Sequence, residues 1–323
     1  MKPTRRDSLR FAGAAALAVA MPRLARAQAW PTRAIKAMIP FPAGSSVDVI
    51  GRIALDQLAA QLGQAIYVEN RGGAGGTIGA ATVAKAEPNG YTVLVNASAH
   101  SAAPAFYQNL AYDPVRDFSA VANFGSVPQV VVVNPQKGIK TLKDLVARAK
   151  SDSISFSSAG AGSTTHWAAE RLRASAGFNA LHVPFRGAEA LTEVVAGRVD
   201  FMCPGISSAL GFIRSGQLVA LAVSTPKRSR ALPDVPTTIE QGYPDSDYNF
   251  WTGMLVPAKT PRPIVDLLYR EATKALSHPS VVAKYGTQGV EPMPMSPAEF
   301  DALIVKEIEI NKALVKATGL KVN

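Results

Sequence analysis

The sequence predicts an α/β protein built as two lobes, and three observations predict it. Short β-branched runs alternate with helical apolar periodicity along the whole chain. The alternation restarts after a continuous apolar run, "QVVVVNP" at 129–135, of the kind that strands buried on both faces carry. A second apolar run, "WTGMLVPA" at 251–258, comes late and after a loop rich in proline and charge. A chain that enters a second lobe near Val130 and returns near Trp251 crosses twice and leaves a cleft between the lobes. The 323 residues are enough for two such lobes with a sizeable core.

The first 27 residues stand apart. "MKPTRRDSLRFAGAAALAVAMPRLARA" has a basic start, an apolar run over 11–21 and a small-x-small end at Ala25, Arg26 and Ala27. This predicts a signal peptide over 1–27, cut before Gln28. Arg5 and Arg6 with Leu9 and Arg10 resemble a twin-arginine signal, and Ser8 departs from that pattern, so both export routes stay open. The run is too short to cross roughly 30 Å of hydrocarbon, and no later run reaches the ~20 residues required. No integral membrane segment is expected. Removing 1–27, with six basic residues and one acidic, lowers the formal net charge from +10 to +5. That charge needs no nucleic acid to explain it and supports weak steering of anions.

After residue 28, "AIKAMIPF" predicts a strand, and Val47, Ile50, Ala54, Leu55, Leu58 and Leu62 predict a helix with one buried face. Next come a strand at "AIYVEN", a glycine cluster, a helix over 77–86 and a strand at "YTVLVNA". The second lobe reads as "QVVVVNP", the helix "TLKDLVARAK", the strand "ISFSSAG", and a helix over 166–176. It continues with "ALHVPF", a helix over 188–196, "VDFMC", a helix over 207–215 and "LVALAVS". The tail is helical: "PRPIVDLLYREATKALSHP" opens on prolines that suit a first turn, and "SPAEFDALIVKEIEINKALVKATG" opens on a Ser296 to Glu299 capping box.

Chemistry is narrowed by elimination. Four scattered histidines and one cysteine supply no metal spacing, so no metal or other cofactor is expected. "RGGAGGTIG" and "GAGSTT" complete neither a Walker ending nor Gly-x-Gly-x-x-Gly, and Gly-x-Ser-x-Gly is absent. Cys203 reads as a small apolar core side chain, and His100 as a surface histidine by default. A secreted hydrolase using Ser163, His166 or His100 would need an activated nucleophile, and no paired acid and base emerges. What recurs is small hydroxyl and glycine residues where helices begin, in "AGSSVD", "GGTIG" and "SAGAGSTTH". Helix starts expose unpaired N–H groups and a positive dipole end, so each is a candidate anion cradle as well as an ordinary cap.

"PFPAGSSVDVIGR", "ENRGGAGGTIGA", "PNGYTVLV", "LAYDPVRDF", "SSAGAGSTTH", "HVPFRGAEALTEVVAGRVDFM", "LPDVPTTIEQGYP" and "GMLVPAKTPRPIV" fall in order along the chain. This set resembles the Bug or TctC family, periplasmic solute receptors of tripartite tricarboxylate transporters, over nearly all of the chain after the signal. The resemblance implies a type II periplasmic-binding-protein fold with a ligand cleft between lobes at 28–129 with 251–323 and 130–250. It implies a non-enzymatic monomer that captures a small organic acid and hands it to membrane transporter subunits. A sensor subunit of a membrane signalling protein is the alternative use of the same fold. In such receptors, backbone N–H groups of the first loop and of the "SAGAGST" loop grip a carboxylate. Carried over, the ligand residues are Phe41, Ala43, Gly44, Ser45, Ser46 and Asp48, with Gly76, Thr77, Ala97 and Ser98. The second lobe adds Ser158, Ala159, Gly160, Gly162, Ser163, Thr164 and His166, then Phe185, Arg186, Gly187, Ala188 and Asp200. Asp48 is expected to hold its loop or cap the helix, and Arg186 to face either ligand or a surface partner. Ser45 stands where relatives have glycine, "MCPG" where Phe-Asp is common, and Asn311 with Lys312 where a tryptophan is frequent.

Overall fold

Continuous β-branched runs end where glycine, proline or a capping hydroxyl stops them, and the strands and helices of the computed structural model follow that punctuation. The structure describes residues 30–160, 162–185 and 189–319. The signal-peptide expectation therefore lies outside the described residues, as do Arg186, Gly187 and Ala188. The chain divides into two compact units, one ending at Thr32 and one beginning at Arg33. Every element below belongs to the second.

The first sheet holds β1 (Ile35–Ile39), β2 (Ile66–Asn70), β3 (Thr92–Ala97), β4 (Phe118–Pro128) and β10 (Asn249–Pro257), in the order β2-β1-β3-β10-β4. β1 runs parallel to β2 and β3, and β10 lies antiparallel between β3 and β4. The second sheet holds β5 (Val130–Val133), β6 (Ser155–Ser158), β7 (Leu181–Pro184), β8 (Phe201–Met202) and β9 (Val219–Val223), in the order β7-β6-β8-β5-β9. Here β6 is parallel to β7 and β8, and β5 is antiparallel to β8 and β9.

Only Gln129 separates β4 from β5, so one nearly continuous strand feeds both sheets. The return passes beside it. Ser224 donates its N–H to the Gln129 carbonyl at 2.9 Å, and Tyr248 donates to the Ser224 carbonyl at 2.7 Å. The two crossings are thus hydrogen-bonded to each other at the one place where both leave their sheets.

The helices are α1 (Ser46–Leu62), α2 (Thr77–Ala84), α3 (Ala99–Phe106), α4 (Leu142–Ser151), α5 (Thr164–Ala176) and α6 (Glu189–Val195). They continue with α7 (Ile206–Arg214), α8 (Arg262–Leu276), α9 (Pro279–Thr287) and α10 (Pro297–Thr318). The capping box expected at Ser296 and Glu299 is present, and Thr141 with Asp144 forms another on α4.

β5 shows how the second core is made. Val131 and Val133 enter a cluster with Phe156, Trp167 and Phe201, while Val130 and Val132 enter another with Val194, Met202 and Ile206. Alternate side chains of one strand therefore bury on opposite faces, which is why its sequence is apolar throughout. The first core packs Met38, Leu94 and Trp251 against Phe300, Ile304 and Ile308 of α10. Gly253 makes that approach possible: a Cβ there would lie 2.6 Å from the Phe300 ring. Farther along α10, Leu314 joins the second-sheet cluster, so the last helix packs on both halves.

One expectation changes and another holds. His100 is not at the surface: at 1% exposure it is buried in α3, between the Asn96 amide at 3.2 Å and the Pro114 carbonyl at 2.9 Å. Cys203 is buried as read, and burial pushes its thiol up, so it carries no thiolate.

Candidate functional site

In open α/β sheets, ligands bind beyond the carboxyl ends of parallel strands, and there the structure gathers most of the candidate residues. After β1, Pro42 and Gly44 turn the chain: Ser45 donates its N–H to the Pro42 carbonyl at 3.1 Å, and Gly44 sits at φ 80°, a conformation that favours glycine. α1 then begins. Phe41 leans over the neighbouring glycine loop, its ring 3.3 Å from where a Gly76 Cβ would stand. Gly76 donates to the Gly73 carbonyl, and Thr77 closes the turn through Oγ1 to the Ala74 carbonyl at 2.9 Å. The loops carrying Phe41–Ser46 and Gly72–Thr77 are therefore one assembly.

Asp48 is the peg of that assembly. It is 3% exposed and accepts from Gly44 N–H at 2.9 Å, Arg52 Nε at 2.9 Å and Asn70 Nδ2 at 2.8 Å. Asn70 also donates to the Phe41 carbonyl at 3.0 Å. Burial pushes the Asp48 carboxyl up, but the hydrogen bonds from Arg52, Asn70 and Gly44 outweigh it and hold the group below its usual range. It stays ionised and fastens loop to helix and to β2. Ser45 is the N-cap, accepting from Asp48 N–H at 3.4 Å. Ser46 and Val47 open the helix with N–H groups that have no acceptor among the described residues. These are the unsatisfied donors of this helix start.

Ser45 therefore acts as a cap, and its own N–H is spent on the Pro42 carbonyl. Ser45→Gly should cost only a few tenths of a kcal/mol and Ser45→Ala about 1 kcal/mol, readable by urea denaturation. A loss well above that for glycine would show that the side chain is tied down elsewhere.

The loop after β6 is built differently. Ala159 N–H donates to Thr165 Oγ1 at 2.9 Å, Gly160 N–H to Ser158 Oγ at 3.2 Å, Ser163 N–H to the Gly160 carbonyl at 3.1 Å, and Gly162 N–H to His166 Nδ1 at 3.0 Å. The expectation that Ala159, Gly160 and Gly162 present free N–H groups is thus corrected: the loop satisfies these donors itself. Ser163 caps α5, and the N–H groups of Thr164 and Thr165 follow it with no acceptor among the described residues. Phe185 N–H donates to the Ser158 carbonyl at 2.9 Å, which brings the loop after β7 alongside.

Behind this loop lies a buried polar cluster. The His166 and His182 rings stack at 3.8 Å and 9°, and His182 Nε2 meets Ser158 Oγ at 2.6 Å. Burial, and then the charges of His166 and Arg173, hold His182 down to about 4, with Glu170 opposing. Glu170 itself is pushed up by burial, but hydrogen bonding to His166 and the charge of Arg173 prevail and keep it low. His166 supports the loop from behind. Among the described residues, no group of three or more His, Cys, Asp or Glu could hold a metal ion.

Three further candidates lie elsewhere. Ala97 and Ser98 are buried at the end of β3, and Ser98 Oγ meets the Tyr248 hydroxyl at 3.1 Å, so it faces the crossing strand. Asp200 precedes β8, opposite Ser155, at the end of the sheet away from Ser158. It accepts from Ser155 N–H at 2.8 Å and pairs with Lys137 at 2.9 Å. The parallel register places it about three residues, or ~10 Å, from the loop, so it fastens β8 to β6 instead. His182 and Tyr248 carry no local signal, because each acquires its partners only through the fold, whereas Glu170 stands at i+4 and i−3 spacing from His166 and Arg173 on α5.

Residues 50–320 match the model of the tripartite tricarboxylate transporter family receptor, TctC. The chain belongs to that family. Among relatives of this TctC chain, the UPF0065 protein in the TAR-I ttuE-ttuC' intergenic region of Agrobacterium vitis is 33% identical over 317 residues, covering 96% of this chain and 92% of that protein. MatC of Rhodopseudomonas palustris, solved with bound malate, is 32% identical with a TM-score of 0.70, covering 88% and 100%. An R. palustris protein solved with adipate is 28% identical with a TM-score of 0.74, covering 90% and 99%. The two-lobed fold is that of the TctC and Bug periplasmic binding proteins, and the family is one of solute-binding receptors.

Proposed function

We propose that this chain is an exported receptor that binds a small carboxylate between its two lobes and delivers it to a tripartite tricarboxylate-type membrane transporter. The lobes are assigned to 28–129 with 251–323, and to 130–250, acting as a monomer after removal of 1–27. The observation that carries the reading is a pair of helix starts, one on each sheet. Ser46 and Val47 on α1, and Thr164 and Thr165 on α5, each offer N–H groups without an internal acceptor. Two positive helix ends with neutral donors suit an anion that must be captured and later released. Relatives solved with malate and adipate, both dicarboxylates, support a small dicarboxylate as the ligand class. The well-satisfied loop after β6 acts as a rigid frame for α5.

Ligand that binds the native state alone adds RT ln(1 + [L]/Kd), about 2.7 kcal/mol at a hundredfold excess over Kd. Refolded protein screened against malate, adipate and aromatic acids should therefore show saturable rises in Tm for at least one. Flat melting curves across the whole set would sink the reading.

A further inference from the structure

Apart from the candidate site, the structure forms a pocket of about 600 Å³ that none of the candidate ligand residues lines. Its volume falls in the range that holds drug-sized molecules. Most of the wall is lobe-one surface: Phe124 on β4, Tyr269 and Leu276 on α8, Tyr285 on α9, and Met293 with Met295 on the segment between α9 and α10. The rest comes from the second-sheet half, through Ile206 at the start of α7 and Ser229 to Ala231. The halves touch beside it, since a Cβ on Gly289 would stand 2.9 Å from Ser207 Cβ.

The wall is apolar for identifiable reasons. The Tyr285 hydroxyl is spent on the Ile50 carbonyl at 3.1 Å, which leaves the ring as lining. Two methionines give a surface that adapts to irregular shapes. The polar groups are few. Asn123, 4% exposed, donates Nδ2 only to the Met293 sulfur at 3.8 Å, a weak acceptor. Its Oδ1 is already taken by Gly125 N–H at 2.8 Å. Glu291 accepts from Ser229 Oγ and, at 3.0 Å, from Arg230 N–H. The exposed Arg230 guanidinium has no carboxylate partner among the described residues.

From these groups we infer that the cavity is a second ligand site, distinct from the carboxylate cleft, for an uncharged amphiphile with an aromatic or alkyl body and one hydrogen-bonding oxygen. The body fills the space between Tyr269, Tyr285 and the methionines. The oxygen accepts from Asn123 Nδ2, the one buried side-chain donor among the described lining residues that lacks a strong acceptor. Glu291 disfavours an anion and Arg230 disfavours a cation, so the neutral molecule is the one both tolerate. This chemistry separates the two sites, because the cleft selects for a negative charge and the cavity for neither sign.

The probe is 4-propylphenol, titrated by calorimetry and by saturation-transfer NMR on the chain from residue 28 onward. Gly286 lines the cavity within α9 at an ordinary φ, and a Cβ there meets nothing within 4 Å. Gly286→Phe therefore fills the space without straining the helix. Saturable binding with a Kd below about 1 mM, weakened at least tenfold in Gly286→Phe, is the expected result. Thr273→Trp, from α8, serves as the second blocking variant should Gly286→Phe fail to fold. Absence of binding up to that concentration, or equal binding by wild type and a folded blocking variant, overturns the inference.

Discussion

Arg171→Met should destabilise the protein by about 3–5 kcal/mol, the loss typical when one partner of a buried charged network is removed. Arg171 is 4% exposed on α5, yet its guanidinium donates to the Asp247 carbonyl at 2.7 Å and to Asn311 Oδ1 at 3.0 Å. It also stands 5.0 Å from the centre of the Tyr248 ring. One side chain thus joins the second-sheet half, the crossing segment and α10. Its charge has a counterpart in Glu307, buried in α10, which accepts from Ser101 Oγ at 2.5 Å and Trp251 Nε1 at 2.9 Å. Burial pushes the Glu307 carboxyl up, and the Arg171 charge restrains it. Methionine fills much of the volume but orphans two acceptors and strands the carboxylate. Urea denaturation reads the loss, and the melting temperature should fall by on the order of 10 °C. Adding Glu307→Gln should recover part of it, because the two sites share one network. A loss below about 1 kcal/mol, or strict additivity of the two substitutions, would show that the network is not coupled.

Asn311 illustrates what could be read from the chain and what could not. Its departure from the family pattern was legible, and so was its place in a packing helix, but its partner lies 140 residues away and leaves no local period. β5 was legible because burial on both faces demands four β-branched residues in a row. β4, the longest strand at 11 residues, was not: "FSAVANFGSVP" carries serine, asparagine and glycine, and nine pairings with β10 impose its extended form. α3 hid for the opposite reason, since Pro104 inside "AHSAAPAF" argues against a helix. Packing under β3 and α10 overrides that signal and carries His100 into the interior. At the candidate site, the glycine and serine loops could be read from spacing alone. The allocation of their N–H groups could not, because it depends on Thr165 and His166 folding back over the loop.

The buried histidines make stability fall as the medium is acidified. His100 is held down to about 4, chiefly by burial, against about 6.5 unfolded, and the Pro114 carbonyl opposes the shift only in part. With Nε2–H donating to Pro114, Nδ1 is the acceptor for the Asn96 amide, and Asn96 Oδ1 is held by Ala97 N–H at 2.9 Å. A second proton on the ring would face a donor that cannot easily turn away, in a pocket otherwise formed by Tyr112 and Phe118. Between pH 4 and 6.5 the unfolded chain therefore binds more protons than the folded one, and stability rises with pH across that window. Above it the contribution is constant; below it the penalty is complete. The shift corresponds to about 3 kcal/mol for His100, and the partly exposed His182 adds a smaller term of the same sign. Lowered carboxylates such as Asp48 and Glu170 act at more acid pH, where they too lose stability as they protonate. Urea midpoints measured across the window should climb steeply in the wild type. In His100→Gln, which keeps an amide for Pro114 but cannot titrate, the climb should be roughly halved, at a cost of about 1 kcal/mol near neutral pH. An unchanged slope would place the titrating group elsewhere.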